Sequence, residues 1–388
     1  MEVSEGMRFR LHFAPFFVVA AAFVVLSIAM RAADTLPAQI SDDAFWKFIE
    51  SSSEAGGAFQ SENFLSNETG FQAVIPTLQQ ITKPGGVYMG VGPEQNFTYI
   101  TGIRPKIAFI IDIRRQNMIE HMIYRAAFEM SPDRADFVSK LFSLKRPAGL
   151  TDKSTVSELF SAYDAAEPIG NEAFEKNLQD IKDLLVKKHK FGLTSEDLAD
   201  LTHVYTVFRT FGPEIDYNSG SFRGGRGRRG GMPNYLELMV ATDLKGQQRS
   251  YLANEDNYRF LRELETKNLL VPLTGDFGGP KAIRSVGRYV KDHGATITAF
   301  YLSNVEQYLF QGNGNQNGGW TNFYDNVAML PLDESSTFIR SAGGGVRGIG
   351  GGGGGMRAPN VLASMQETVT AVKAGRIQTY FDVFTLSR

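Results

Sequence analysis

Gly86-Val87-Tyr88-Met89-Gly90-Val91-Gly92-Pro93-Glu94-Gln95-Asn96, followed by Lys106-Ile107-Ala108-Phe109-Ile110-Ile111-Asp112, is the stretch on which the fold turns. Each half holds a short apolar run that ends in a polar cluster, and a helix-sized segment separates the two. A strand with one wet face alternates apolar and polar residues. A strand in a parallel sheet is covered on both faces by crossover helices and reads as an unbroken apolar run. The pair therefore predicts a strand, a glycine turn, a helix and a second parallel strand.

The pattern extends outward from this unit. Helical spacing over Asn117 to Met130 sets Met118, His121 and Met122 against Tyr124 and Arg125 on opposing faces. Residues 131–212 read as helices only, at Asp133 to Leu144, Ser154 to Tyr163, Glu172 to Lys188 and Ser195 to Arg209, which predicts a helical insertion between strands. Further strands are expected at Tyr235 to Thr242, Leu269 to Thr274, Thr296 to Leu302, Ser336 to Arg340 and Gln378 to Leu386, with helices at Asn254 to Lys267 and Pro280 to His293. Residues 85–388 thus predict an α/β domain, a doubly wound, mostly parallel Rossmann-like sheet of about seven strands. Residues 34–84 form a helical lead-in, with Ala44 to Ile49 and Thr77 to Ile81 helical and a polar stretch from Ser61 to Glu68 between them. That stretch reads as loop and cap chemistry, or as a lid over a ligand site.

Two glycine-rich segments, 219–231 with Arg223, Arg226, Arg228 and Arg229, and 341–356, read as flexible surface loops. The first resembles an arginine-glycine tract, but its aromatic interleaving is limited to Phe222, so no nucleic-acid partner is expected. The 40 basic and 42 acidic side chains leave a net charge of −2, which creates no field for a polyanion. The chain has no cysteine, which excludes disulfides, thiolate metal sites, a cysteine nucleophile and a lipoprotein anchor.

Residues 1–33 read as a targeting segment. Arg8 and Arg10 precede an apolar run from Phe13 to Met30, and Ser27-Ile28-Ala29 supplies a small-x-small cleavage pattern. The run, roughly 18 residues, is also long enough to span a bilayer. A cleaved signal peptide or an inner-membrane anchor at 13–30 both place the body outside the cytoplasm, periplasmic or secreted, with the membrane met only through this segment.

Ligands in open parallel sheets bind outside the carboxyl ends of the strands, so the residues that follow each run are the site candidates. Gly90 and Gly92 let the backbone turn sharply near a ligand. Asp112 lies about 20 residues beyond Gly90, the spacing at which an acid grips a ribose diol. The third glycine of a dinucleotide fingerprint is missing and Glu94 stands at the helix start, where a carboxylate repels a pyrophosphate. S-adenosylmethionine carries no phosphate and two cationic centres, which Glu94 suits. Asp276 in Gly275-Asp276-Phe277-Gly278 and His121 are the catalytic candidates, and Asn96, Tyr301, Asn304 and Glu306 the substrate-orienting ones. Arg114 and Arg115 read as helix-start charges or as anion clamps.

The segments Gly90 to Asn96, Asp112 and Gly275-Asp276-Phe277 resemble a divergent class I S-adenosylmethionine-dependent methyltransferase fold. They are also similar to an uncharacterised bacterial family with GPEQN, DIRRQN and YLSNVEQYLF segments, here 92–96, 112–117 and 301–310. The resemblance spans 85–388 outside the insertion and the glycine tracts. It implies Gly90 and Gly92 beside the methionine part, Asp112 on the ribose and Asp276 near the reacting centre. Gly275-Asp276-Phe277-Gly278 departs from the Asn/Asp-Pro-Pro-Tyr type that amino-group methylation uses. Three functions stay open: an exported or tethered methyltransferase-like protein binding a nucleoside-type small molecule; a non-catalytic extracytoplasmic binding or scaffold protein; and a hydrolase pairing Asp276 with Glu94 or Glu306. Export and S-adenosylmethionine pull against each other, since that cofactor is not expected outside the cytoplasm.

Overall fold

The computed structural model describes residues 34–220, 232–312, 319–341 and 360–387. The expected signal or anchor segment, 1–33, and most of both glycine tracts lie outside the described residues.

Residues from Thr35 onward form one compact α/β unit around a six-stranded, mostly parallel sheet. Its strands are β1 (Val87–Gly90), β2 (Ile107–Asp112), β3 (Leu270–Thr274), β4 (Ile297–Ser303), β5 (Thr337–Arg340) and β6 (Val361–Ser364), in the order β3-β2-β1-β4-β5-β6. All neighbours are parallel except β5 and β6. Every residue of β1, β2 and β3 is buried, the physical reason their sequences are continuous apolar runs. Pro272, which lacks a donor, sits in the edge strand β3, where one side of the backbone has no ladder partner to lose. Chain order reverses between β1 and β4, the kind of point at which the segments leaving adjacent strands part and open a crevice.

The helices are α1 (Asp42–Ser52), α2 (Ile75–Ile81), α3 (Gln95–Ile103), α4 (Arg115–Met130), α5 (Arg134–Phe142), α6 (Val156–Asp164), α7 (Asn171–Asp183), α8 (Ser195–Phe211), α9 (Tyr235–Val240), α10 (Glu255–Thr266), α11 (Ala282–Asp292), α12 (Val305–Gln311), α13 (Gly319–Ala328) and α14 (Met365–Lys373). Residues 131–212 are helical as expected, with α7 running into a wider π turn at Leu184–Lys188. Helix α4 does not divide into an inner and an outer face. It is buried all round from Asn117 to Phe128 because β2 and β3 cover one side and α8 and α10 the other.

Two expected strands are helical. Tyr235 to Thr242 has strand-like composition, yet Asn234 accepts from the Glu237 backbone at 2.8 Å and Glu237 Oε2 accepts from the Asn234 backbone at 3.1 Å, a reciprocal cap that starts α9. Gln378 to Leu386 fails in the same way: Asp382 Oδ2 accepts from the Thr379 backbone at 2.8 Å, and a 3₁₀ helix runs from Tyr380 to Leu386. The sheet gains instead β6, four residues that pair antiparallel with β5 from Arg340↔Val361 to Thr337↔Ser364. The count is six strands among the described residues.

Candidate functional site

A cavity of about 420 Å³ opens at the carboxyl ends of β1, β2, β3 and β4, on the crevice where chain order reverses. Four separated clusters meet in it: Val91 and Gly92 after β1, Asp112 to Arg114 after β2, Gly275 to Phe277 after β3, and Tyr301 with Ser303 to Val305 at the end of β4. The lead-in supplies a fifth wall. It crosses the strand tips on backbone hydrogen bonds from Glu54 to Thr274 and from Gly57 to Ile113, both 2.8 Å, and brings Asn63, Ser66, Asn67 and Glu68 to the cavity. The polar stretch from Ser61 to Glu68 is therefore part of the site.

Of the sequence candidates, Gly92, Asp112, Asp276, Tyr301 and Asn304 line the cavity, whereas Gly90, Glu94, Asn96, His121 and Glu306 do not. The reasons are local. Asn96 is fully buried and holds the glycine turn: its Nδ2 donates to the carbonyls of Val91 at 2.9 Å, Gly92 at 3.2 Å and Pro93 at 2.7 Å, while its Oδ1 accepts from Tyr88 at 2.8 Å. Gly90 is required because a Cβ there would collide with Asn96 Oδ1. Gly92, at φ +76, takes a left-handed conformation that favours glycine and turns the chain past the cavity. His121 supports that turn from behind. Its Nε2 donates to the Gly92 carbonyl at 2.9 Å, and burial pulls its pKa down to about 4, so it is a neutral structural histidine and no cavity base.

Glu94 also faces inward. Both its oxygens accept from the Ser66 backbone at 3.4 Å, and burial raises its pKa to about 8, so at neutral pH it is mostly protonated and presents no charge to a ligand. The expectation that Glu94 repels phosphate or attracts a cation is corrected by this placement. Glu306 is taken by Arg340, whose Nε and Nη2 donate to it at 2.7 and 3.1 Å, and by the Tyr324 hydroxyl. Neither acid shares the cavity with Asp276, so the two carboxylate pairings expected for a hydrolase are not formed.

Asp112 accepts from the Arg114 backbone at 2.8 Å and from its Nε at 3.1 Å on Oδ1, and from Nη2 at 3.3 Å on Oδ2. Arg114 is thus an internal partner of the acid. Arg115 instead grips Asp197, at 2.6 and 2.8 Å. Asp276 Oδ1 accepts from the Gly278 backbone at 2.8 Å, which orders the turn after β3. Glu54 holds the next helix: its Oε1 accepts from the backbones of Lys281 and Ala282 at 2.8 and 2.9 Å. The N-terminus of α11, a natural anion site, already holds a protein carboxylate.

The residue that sequence reasoning passed over is Glu68. It is 5% exposed, lines the cavity, and accepts four hydrogen bonds: from Tyr301 at 2.8 Å and Ser303 at 2.7 Å on Oε1, and from Gln95 at 2.9 Å and Asn360 at 2.8 Å on Oε2. Its only sequence signal is an acid inside a polar loop. Two cavity residues, Asn63 at φ 48 and Ser303 at φ 49, hold left-handed backbone conformations, and β4 carries a register shift between Tyr301 and Ser303. Such strain concentrates where side chains are aimed at a ligand.

Among the described residues no helix is long and apolar enough to cross a membrane, and no three His, Asp or Glu side chains are grouped to hold a metal ion. Residues 63–352 match a family described as a domain of unknown function (DUF7790), and the chain belongs to that family. No curated protein matches the chain.

Proposed function

We propose that this member of the DUF7790 family binds a nucleoside-type small molecule of the S-adenosylmethionine class in the cavity at the strand tips, as an extracytoplasmic, methyltransferase-like protein on a doubly wound, Rossmann-like sheet. The observation that supports this reading is the convergence of Gly92, Asp112, Asp276 and Tyr301, from four strand ends, on one cavity where chain order reverses. Gly92 lets the backbone approach the ligand. Asp112, with one weak bond on Oδ2, keeps lone pairs free for a ribose diol.

The cavity and its lining fit such a ligand in size, since small-molecule sites begin at about 300 Å³. Bound there, S-adenosylmethionine would supply an electrophilic methyl group. The chain's own residues position and enclose the ligand, with Asp276 the lining acid nearest in role to a proton acceptor.

A second reading, binding without turnover, draws support from the burial of His121, Glu94 and Glu306 away from the cavity. Export rests on the N-terminal apolar segment and would make S-adenosylmethionine scarce, which favours the same reading. Calorimetry of the full chain with S-adenosylmethionine and S-adenosylhomocysteine tests the proposal. Binding of either, weakened at least ~10-fold by Asp112→Ala, is the expected result. Absence of heat and of thermal stabilisation with both ligands refutes it.

A further inference from the structure

The walls of the cavity are more specific than its volume. Phe59, Tyr217, Phe277, Tyr301 and Tyr308 line it, and Phe59 meets Tyr308 edge to face at 5.4 Å. Glu68, Asp112 and Asp276 line it too, and the single basic side chain among the described lining residues, Arg114, is bound to Asp112. The four groups that donate to Glu68 are two hydroxyls and two amides, all neutral. Neutral dipoles stabilise a carboxylate without cancelling its charge.

With Arg114 spent on Asp112, the remaining lining charges, Glu68 and Asp276, are acidic, and a cleft dominated by one sign of charge focuses its field. Aromatic rings add the negative potential of their faces. Anions meet repulsion from both sources, and the helix N-terminus that follows the Gly275 to Phe277 wall, at α11, is occupied by Glu54. We infer that the cavity takes an organic cation, an alkylammonium or a sulfonium, with Glu68 as its counter-charge and the aromatic rings as its cage. This rests on the reading of the cavity as the ligand site, and applies with or without an adenosine attached.

Two pairs of probes differ in charge, and the first of them is matched in shape as well. Choline is compared with 3,3-dimethylbutan-1-ol, its neutral isostere, and S-adenosylmethionine with 5′-methylthioadenosine, which keeps the adenosine and loses both cationic centres. On the full chain, calorimetry is expected to show each cation binding on the order of tenfold more tightly than its neutral partner. Glu68→Gln, which preserves shape, is expected to bring choline and its isostere to within about twofold and to narrow the adenosine pair. Tyr308→Leu removes one ring without touching the partners of Glu68, and is expected to weaken the cation about threefold while leaving the neutral probe unchanged. It decides the matter should Glu68→Gln fold poorly.

Equal affinities within both pairs, or a cation preference undiminished by both substitutions, overturn the inference. Choline outbinding its isostere while neither adenosine compound binds removes the nucleoside reading and leaves this one standing. Adenosine compounds binding equally well, with choline no better than its isostere, does the reverse.

Discussion

Glu265 offers a test of the structure's electrostatics at a position outside the cavity lining. It lies on α10, 1% exposed, with Oε1 unpartnered, and burial raises its pKa from 4.5 to about 8 against the pull of Arg125. The native state therefore holds a proton that the unfolded chain releases near 4.5. Between those values the native state binds one more proton, so its contribution to stability is full below 4.5 and is lost as pH rises towards 8. The slope is about 1.4 kcal/mol per pH unit for one group.

His121 has the opposite sign, its pKa falling from 6.5 to about 4, so it adds stability as pH rises across that interval and nothing more above 6.5. The window from pH 6.5 to 8 isolates the carboxyl groups. Over it Glu265 accounts for a loss of about 2 kcal/mol. Glutamine keeps the shape and has no proton to release. Urea unfolding of wild type and Glu265→Gln at pH 6.5 and 8.0 is expected to show the variant losing about 2 kcal/mol less. An identical loss in the two proteins would mean that Glu265 is ionised in its buried position, and the reasoning would fail.

The glycine turn gives a contrast between neighbours. Gly90→Ala drives a methyl into Asn96 Oδ1 and is expected to lower Tm sharply, whereas Gly92→Ala has space around its Cβ but a φ of +76, and is expected to cost about 1–2 kcal/mol in thermal unfolding. Asn96→Ala strands three carbonyls and is expected to destabilise by about 3 kcal/mol in urea unfolding, with ligand affinity lost through the turn. Glu306→Leu leaves the buried Arg340 guanidinium unpaired and is expected to cost about 3–5 kcal/mol, most of it recovered in the Glu306→Leu, Arg340→Met double variant; an additive loss in chemical denaturation counts against the pair.

The parallel strands were legible because burial on both faces writes itself as unbroken apolar runs, at Ile107 to Ile111 and Leu270 to Leu273. Strand β6 was not, since Val361–Ser364 is too short to carry a period and is identified only by its pairing with β5. For Tyr235–Val240 the reciprocal cap of Asn234 and Glu237 was present in the sequence and outweighs β-prone composition. At the site, the polar clusters after each strand were readable as a group. Which members face the cavity was not, because Glu94 turns inward to Ser66, a partner that only the folded chain supplies, and Asn96 is spent on the carbonyls of its own turn.

The four donors around Glu68 come from Gln95, Tyr301, Ser303 and Asn360, segments that the ribosome delivers at widely separated times. The acid's setting is complete only once the residue leading into the last strand has docked. A nascent chain that has not yet emerged as far as residue 360 lacks one of those donors, so the setting of Glu68 is assembled only by a chain folded across that whole span.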